Sequence, residues 1–395
     1  NSFCTLLGSP SFSSSTSTAM RAIATLAIVT LLAACVAAAP PKWNKLEGYT
    51  HDQWAADFGR NYRSEEERAQ RKAVFDAKLS EIKAHNAKPG VLHKKGVNQF
   101  SDWTAEEFKR YNTYTARPVG TAEQMIPINT YSATGAIIPG AVDWRRASPP
   151  VLSGVKNQGH CGSCWAHSTV ESIESYFALA FGQLPVLSAQ QVTSCTQLMY
   201  GCGGGNYFYG FDYVSKSKGL YEEWEYSYTS FFAQNMSKAA TSTCRNISSE
   251  YFPNWSWFPK ANVTGAWAVQ PNNATATMEA LALHGPLSIS VGAGGWDSYE
   301  SGVYYNPTGS NEPWQIDHAV QMVGYGFDED LQVGYWIVRN SWGTTWGESG
   351  FIRLFRPTEG AAEPCGMGDD GKACGTSGCL SSPAFPNVAM LAKLN

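Results

Sequence analysis

Apolar residues Phe75, Leu79 and Ile82 recur at helical spacing within the charged stretch 64–86, which predicts an amphipathic helix capped by Ser64 with acidic residues in its first turn. Glu67 and Arg71 stand four apart, a spacing that lets their side chains pair on one face. A second short helix is predicted over 104–111, where Thr104 caps and Glu107 follows three residues later. A third and more apolar helix runs over about 163–179. Beyond Pro286 the pattern changes to short alternating runs at 287–291, 319–325, 335–339 and 351–355, which read as strands. Helices followed by strands predict an α+β chain. The stretch 360–386, rich in Gly, Cys, Ser and Pro, reads as a loop-like tail held by disulfides.

The start of the chain reads differently. Residues 1–19 are Ser/Thr-rich, precede the first methionine, Met20, and read as leader or fragment sequence. From Met20 come Arg21, an apolar run over 22–36 and the small residues Ala37, Ala38 and Ala39, so 20–39 has the order of a secretory signal peptide. Its core is Ala-rich and shorter than the roughly 20 apolar residues of a membrane span. No later stretch has that length, so a mature form without a span is expected.

Charge divides what remains. Residues 40–136 carry 15 Lys/Arg against 12 Asp/Glu, whereas 137–395 carry 13 against 21, so a basic segment precedes an acidic one. That balance gives no reason to expect a nucleic-acid partner. Eight of the ten cysteines fall in the second segment, and N-x-S/T sequons start at Asn235, Asn246, Asn254, Asn262 and Asn273. Clustered sequons behind a signal peptide predict a glycosylated surface and a disulfide-permissive route.

The third helix opens on Gln158-Gly159-His160-Cys161-Gly162-Ser163-Cys164-Trp165. A catalytic cysteine must form a thiolate, and a helix N-terminus together with a nearby imidazolium lowers the thiol pKa. Cys161-x-x-Cys164 as a zinc half-site would need a second ligand pair at ligand spacing, and as a redox pair a βαβ context; neither is present. The C-G-[SA]-C-[WY] string calls for a distant His and Asn, met by His318 and Asn340 at 154 and 176 residues beyond Cys164.

On these motifs the chain resembles a papain-type, cathepsin L-like cysteine peptidase with its prosegment, over most of the sequence from about Trp54 to Gly366. The resemblance implies a two-lobed fold, with a helical lobe, a β-barrel-like lobe and an active-site cleft between them. It makes Cys164 the nucleophile, His318 the general base and acid, Asn340 its orienting partner and Gln158 the oxyanion-hole side chain. Trp342 would shield the His–Asn bond, and Gly204 and Gly205 would pair with an extended substrate. Asn206, Tyr207, Ser290, Ile316 and Asp317 would line the substrate site, with Asp370 at the pocket base, where an acid would admit Arg. It pairs Cys161 with Cys202 and Cys195 with Cys244; Cys365 is left to Cys374 or Cys379, with one cysteine over. His167 stands where the family usually has Phe and is read as a core or supporting residue, His160 as a rim residue and His284 as solvent-facing.

In the basic segment, Glu67, Arg71, Phe75, Ile82 and Asn86 match the prosegment helix motif, with Lys78 where Asn is usual, and Gly96, Asn98, Phe100 and Asp102 match the second motif. The resemblance therefore divides the chain into an inhibitory propeptide, 40–136, and a peptidase domain, 137–395, whose Cys-rich tail starts near 360. It implies no cofactor or metal, protein and peptide substrates, the prosegment as intramolecular inhibitor, cystatin-type inhibitors, a monomer, and a lysosomal, vacuolar or extracellular destination. A catalytically silent scaffold would have replaced the nucleophile, and Cys164 is present. An exopeptidase of the cathepsin B type would carry a His-bearing loop, and no His lies between His167 and His284.

A basic cap on an acidic domain loses attraction as carboxylates protonate. Precursor held at acidic pH is expected to shorten by cleavage within about 131–141, giving a form that begins near Ile138. A Cys164→Ala precursor that shortens equally fast on its own would refute self-processing.

Overall fold

The computed structural model describes residues 41–115, 125–217, 219–232, 243–245, 261–306, 314–358, 361–368 and 371–390. Helix α1 (His51–Asp57) starts on a Thr50/Gln53 capping box, and α2 (Glu65–Asn86) on the Ser64 hydroxyl, which accepts from the Glu67 amide. The apolar face of α2, Phe75, Leu79 and Ile82, packs with Trp54, Leu46 and Val97 into a small core of its own. Arg71 does not take up its spacing partner Glu67. Its guanidinium reaches Glu107 of α3 (Ala105–Tyr111) bidentately, at 2.6 and 2.7 Å, because a planar fork on a carboxylate outweighs a single helix-surface pair.

Strand β1 (His93–Lys95) precedes α3, and β2 (Ile128–Tyr131) follows it. After β3 (Val142–Asp143) come α4 (Cys164–Phe181), α5 (Ala189–Cys195) and α6 (Tyr207–Lys216), which pack on one another as a helical lobe. Then follow β4 (Ala261–Val269), α7 (Ala274–Leu283), β5 (Leu287–Val291), β6 (Tyr299–Tyr304), β7 (His318–Asp328), β8 (Val333–Arg339) and β9 (Phe351–Arg356). The strands lie in the order β1-β6-β9-β8-β7-β5-β12-β4-β2, where β12 is the tail strand Ala384–Met390, with β3 on β7. The fold is α+β with a large open sheet, so the expected barrel-like lobe does not close among the described residues. Both ends of that path, β1 and β2, come from the basic segment, which therefore pairs with the two outer strands of the rest.

The tail is more ordered than its composition suggests. Residues 365–374 form the hairpin β10 (Cys365–Gly368) and β11 (Gly371–Cys374), bridged by Cys365–Cys374, and β12 (Ala384–Met390) enters the sheet between β5 and β4. Pro383 and Pro386 hide this last strand from a pattern reading, since proline is rare within sheets. The structure also bridges Cys161 to Cys202 and Cys195 to Cys244, and leaves Cys379 as a buried thiol.

Helix α4 is buried on almost every side, and a polar seam runs through its otherwise apolar contact with the sheet. Ser168 Oγ donates to the Val320 carbonyl at 2.9 Å, Ser172 meets Ser288 at 2.8 Å, and Gln321 donates to Ser175 at 3.1 Å. Below them Arg339 lies 3.4 Å from Glu171, both fully buried, and donates to Ser153 and the Gly154 carbonyl. Burial pushes the Glu171 carboxyl up to about 7, and the Arg339 charge opposes that rise. Arg339→Ala strands Glu171 and is expected to cost about 3–5 kcal/mol, read as a lower urea midpoint. A variant as stable as the parent would show that the pair does not hold helix to sheet.

Candidate active site

Cys164 is the first residue of α4, so the amides of the first turn surround its sulfur. The sulfur accepts backbone N–H groups from Ala319, Thr113 and Trp165, yet complete burial dominates and pushes the thiol up to about 11. His318 opens β7. Its Nε2 lies 2.8 Å from Asn340 Oδ1, which also accepts the Ser341 amide, while Nδ1 has no hydrogen-bond partner among the described residues. Trp342 stacks on the imidazole at 4.8 Å between centroids, and Trp296 meets it edge-on. Burial draws this imidazole down to about 4 against the Asn340 hydrogen bond, which acts the other way. With a basic segment in place, thiol and imidazole are both neutral near pH 7.

Gln158 is wholly buried, its Nε2 donating to the Cys161 carbonyl at 3.0 Å and its Oε1 accepting from Ser341 Oγ at 2.7 Å. Ser163 makes no side-chain cap on α4. Its hydroxyl instead meets Tyr228 at 2.6 Å and His167 Nδ1 at 3.3 Å, and Tyr228 donates to the Gln158 carbonyl at 2.9 Å. Burial holds His167 down to about 3, so it carries no charge with which to tune a thiolate. Tyr228 was not singled out from the sequence, where it sits in an ordinary aromatic run. His160 is exposed and stacks on Trp103, and exposed His284 stacks on Phe385.

The cleft is occupied by residues 113–115, which sequence reasoning passed over. Tyr114 bridges Gly205 in parallel sense: Gly205 N donates to Thr113 O, and Thr115 N to Gly205 O. Thr113 donates to the Gly162 carbonyl at 2.9 Å, and Tyr114 N to the Asp317 carbonyl at 2.8 Å. The glycines are sterically required. A Cβ on Gly204, at φ +118°, would sit 2.1 Å from Thr113 O, and one on Gly205 would meet the Trp165 ring. Above the cleft, Phe100, Phe108 and Tyr111 pack around Trp342 at 5.2–5.8 Å.

Other motif residues tie the basic segment down. Asn86 exchanges two hydrogen bonds with the Lys95 backbone, and Asn98 Nδ2 donates to Asp297 O. Gly96 N donates to Ser298 O, and a Cβ at Gly96 would run into Glu300. Asp102 accepts from Tyr62. Lys78 replaces the usual Asn with a longer reach, binding the Phe100 and Trp103 carbonyls and Asp297 at 2.5 Å.

The pocket beside Gly205 is walled by Ser290, Ile316, Gly368, Lys372, Ala373, Ser381 and Ser382, with a cavity of about 500 Å³. Asp369 and Asp370 lie outside the described residues, so the expected acidic base finds no structural account. The Asp317 carboxylate accepts the Ala293 amide at 2.9 Å. Of the sequons, Asn235, Asn246 and Asn254 also lie outside the described residues. Asn262 is on β4, and Asn273 caps α7 while its Nδ2 donates to Gln270.

A cysteine at a helix start, a histidine–asparagine pair on the facing sheet and a helical segment across the cleft define a thiol peptidase precursor as the class to compare. The chain belongs to the papain family of cysteine proteases. That family's profile matches residues 138–374, and the cathepsin propeptide inhibitor domain (I29) matches 51–108. Ananain of Ananas comosus is 32% identical over 321 residues, 81% of this chain and 85% of the relative. Pro-cathepsin H of Bos taurus is 34% identical over 345 residues, 86% of this chain and 91% of the relative. A recombinant stem bromelain precursor superposes with a TM-score of 0.68 at 30% identity, over 85% of this chain and 97% of its own.

Because burial raises the Cys164 thiol, the intact precursor at pH 7 is expected to react with iodoacetamide at Cys164 far more slowly than the acid-processed chain. Equal rates would show that the prosegment does not cover the sulfur.

Proposed function

We propose that this zymogen matures to an endopeptidase that cuts peptide bonds through Cys164, His318 and Asn340. The observation that carries this is the His318–Asn340 hydrogen bond with Nδ1 left unpartnered, on the strand whose next residue, Ala319, bonds the Cys164 sulfur. With the cleft open to water, desolvation no longer opposes the thiolate–imidazolium pair. The Cys164 thiolate attacks the scissile carbonyl carbon, and the oxyanion is received by Gln158 Nε2 and the Cys164 N–H. The His318 imidazolium passes its proton to the leaving amine, and a thioester forms. His318 then takes a proton from water, which attacks the thioester and releases Cys164. Asn340 holds the imidazole plane, and the Trp342 ring keeps water from that bond.

Residues 40–136 act as the propeptide and 137–395 as the enzyme. The parallel pairing at Gly205 supports inhibition without hydrolysis, because the prosegment meets the sulfur with the Thr113 N–H. The signal-like order of 20–39, the disulfides and the sequons support a glycoprotein of lysosome, vacuole or exterior; a monomer open to cystatin-type inhibitors is part of the same proposal.

Acid release has two sensors. His93 is buried between His85, at 4.5 Å, and Tyr304, at 4.8 Å, with Tyr299 beyond and Lys94 and Lys95 alongside; its Nε2 has no hydrogen-bond partner among the described residues. Burial takes it down to about 3, so its docking contribution is complete above about 6.5 and is lost as pH falls from there toward 3. Glu279 accepts Thr134 N, Thr134 Oγ1 and Gly135 N at 2.7–2.9 Å, which holds its carboxyl below the usual range. That clamp on the junction is complete above the ordinary carboxylate range and is lost as pH falls below it.

Labelling of the acid-processed chain by a thiol-directed epoxide, and hydrolysis of peptide substrates, are expected to depend on Cys164 and to fall at least about 100-fold in His318→Ala. Labelling of a Cys164→Ala chain at the same rate would remove this reading. His93→Phe is expected to shift half-maximal processing to lower pH, and an unchanged midpoint would exclude His93 as a sensor.

A further inference from the structure

We infer that the pocket beside Gly205 selects tyrosine as the second residue before the bond to be cut, through the Asn206 amide and the hydroxyls of Tyr207, Ser290 and Ser382. This rests on the peptidase reading above and names its substrate class.

The prosegment supplies the observation. Tyr114, paired with Gly205, stacks on Tyr207 at 5.7 Å between centroids and 25° between planes. Its hydroxyl accepts from Asn206 Nδ2 at 3.0 Å and shares a hydrogen bond with the Tyr207 hydroxyl. Tyr207 in turn donates to the Ser382 carbonyl and lies 2.8 Å from Ser382 Oγ, which is 2.7 Å from Ser290 Oγ. The side chain opposite Gly205 leaves the backbone toward the same wall whichever way the chain runs, so a substrate residue at that register meets the same groups.

Asn206 makes the choice sharp. It is wholly buried, and its Oδ1 is committed to capping α6 at Phe208 N. Among the described residues, both acceptors of its Nδ2, Tyr114 Oη and Thr115 O, belong to the prosegment. Once the prosegment leaves, the substrate must satisfy that amide. A phenol does so; Phe or Leu fills the space and leaves a polar cluster facing carbon, the situation in which hydrogen-bonding pockets reject the analogue that lacks the hydroxyl. Size does not decide between Tyr and Phe, since the cavity of about 500 Å³ extends past Tyr114. Lys372 lines that cavity and disfavours a basic side chain.

The test is a fluorogenic peptide series on the acid-processed full chain, varying only the second residue before the cut among Tyr, Phe, Leu and Arg. Expected is a kcat/KM for Tyr about tenfold or more above Phe, with Arg lowest. Asn206→Ser, which keeps a capping oxygen, and Tyr207→Phe, which keeps the ring, should each bring the Tyr/Phe ratio toward one. Phe or Leu equal to or better than Tyr, or Arg best, with Cys164-dependent epoxide labelling intact, overturns the pocket assignment alone. Absence of both cleavage and labelling overturns the peptidase reading and the pocket together.

Discussion

Cys164 and His318 sit on different elements, so everything at this site depends on how α4 lies against the sheet. Through that contact runs a buried polar seam, Ser168 to Val320, Ser172 to Ser288, Ser175 to Gln321 and Glu171 to Arg339. Apolar packing alone tolerates sliding and rotation, whereas a row of buried hydrogen bonds is satisfied at one register and leaves unpaired groups at others. The seam thereby sets where the first turn of α4 stands relative to the start of β7. The cost is that a buried ion pair must be kept whole for the helix to stay seated.

Against that frame the prosegment works by excluding water as much as by filling space. Phe100, Phe108 and Tyr111 close over Trp342, and residues 113–115 close over Cys164. A thiolate and an imidazolium are stabilised by solvent and dipoles; removing the solvent returns both groups to their neutral forms. The same aromatic surface that shields the histidine–asparagine bond is the platform on which the prosegment docks.

Much of this was legible in sequence because it is local. The α2 helix carries its cap, charge pattern and apolar face within one stretch, and the nucleophile string, the histidine and the asparagine are motifs of residue type. The fold class followed from helices preceding strands. What was hidden depends on partners far along the chain. Arg71 met Glu107 rather than Glu67 because the docking of α3 is a tertiary event. Lys78 found Asp297 across the interface. Strand β12 was masked by its prolines and stabilised by neighbours on either side, and how far the barrel-like lobe closes among the described residues was hidden because closure is a property of the assembled strands. Tyr114 and Tyr228 carried no signal, since an aromatic residue in an aromatic-rich chain announces nothing about what it faces.

The two prosegment strands at the outer edges of the sheet, β1 and β2, have a thermodynamic consequence of their own. A cut within 131–141 removes none of their hydrogen bonds, so contacts before and after scission are the same. What changes is concentration. While the chain is whole, the inhibitory strand faces its cleft at an effective concentration on the order of millimolar; afterwards it is an ordinary ligand. Cleaved protein held in a small vesicle would therefore stay largely inhibited, and discharge into a larger volume would complete its activation by dilution.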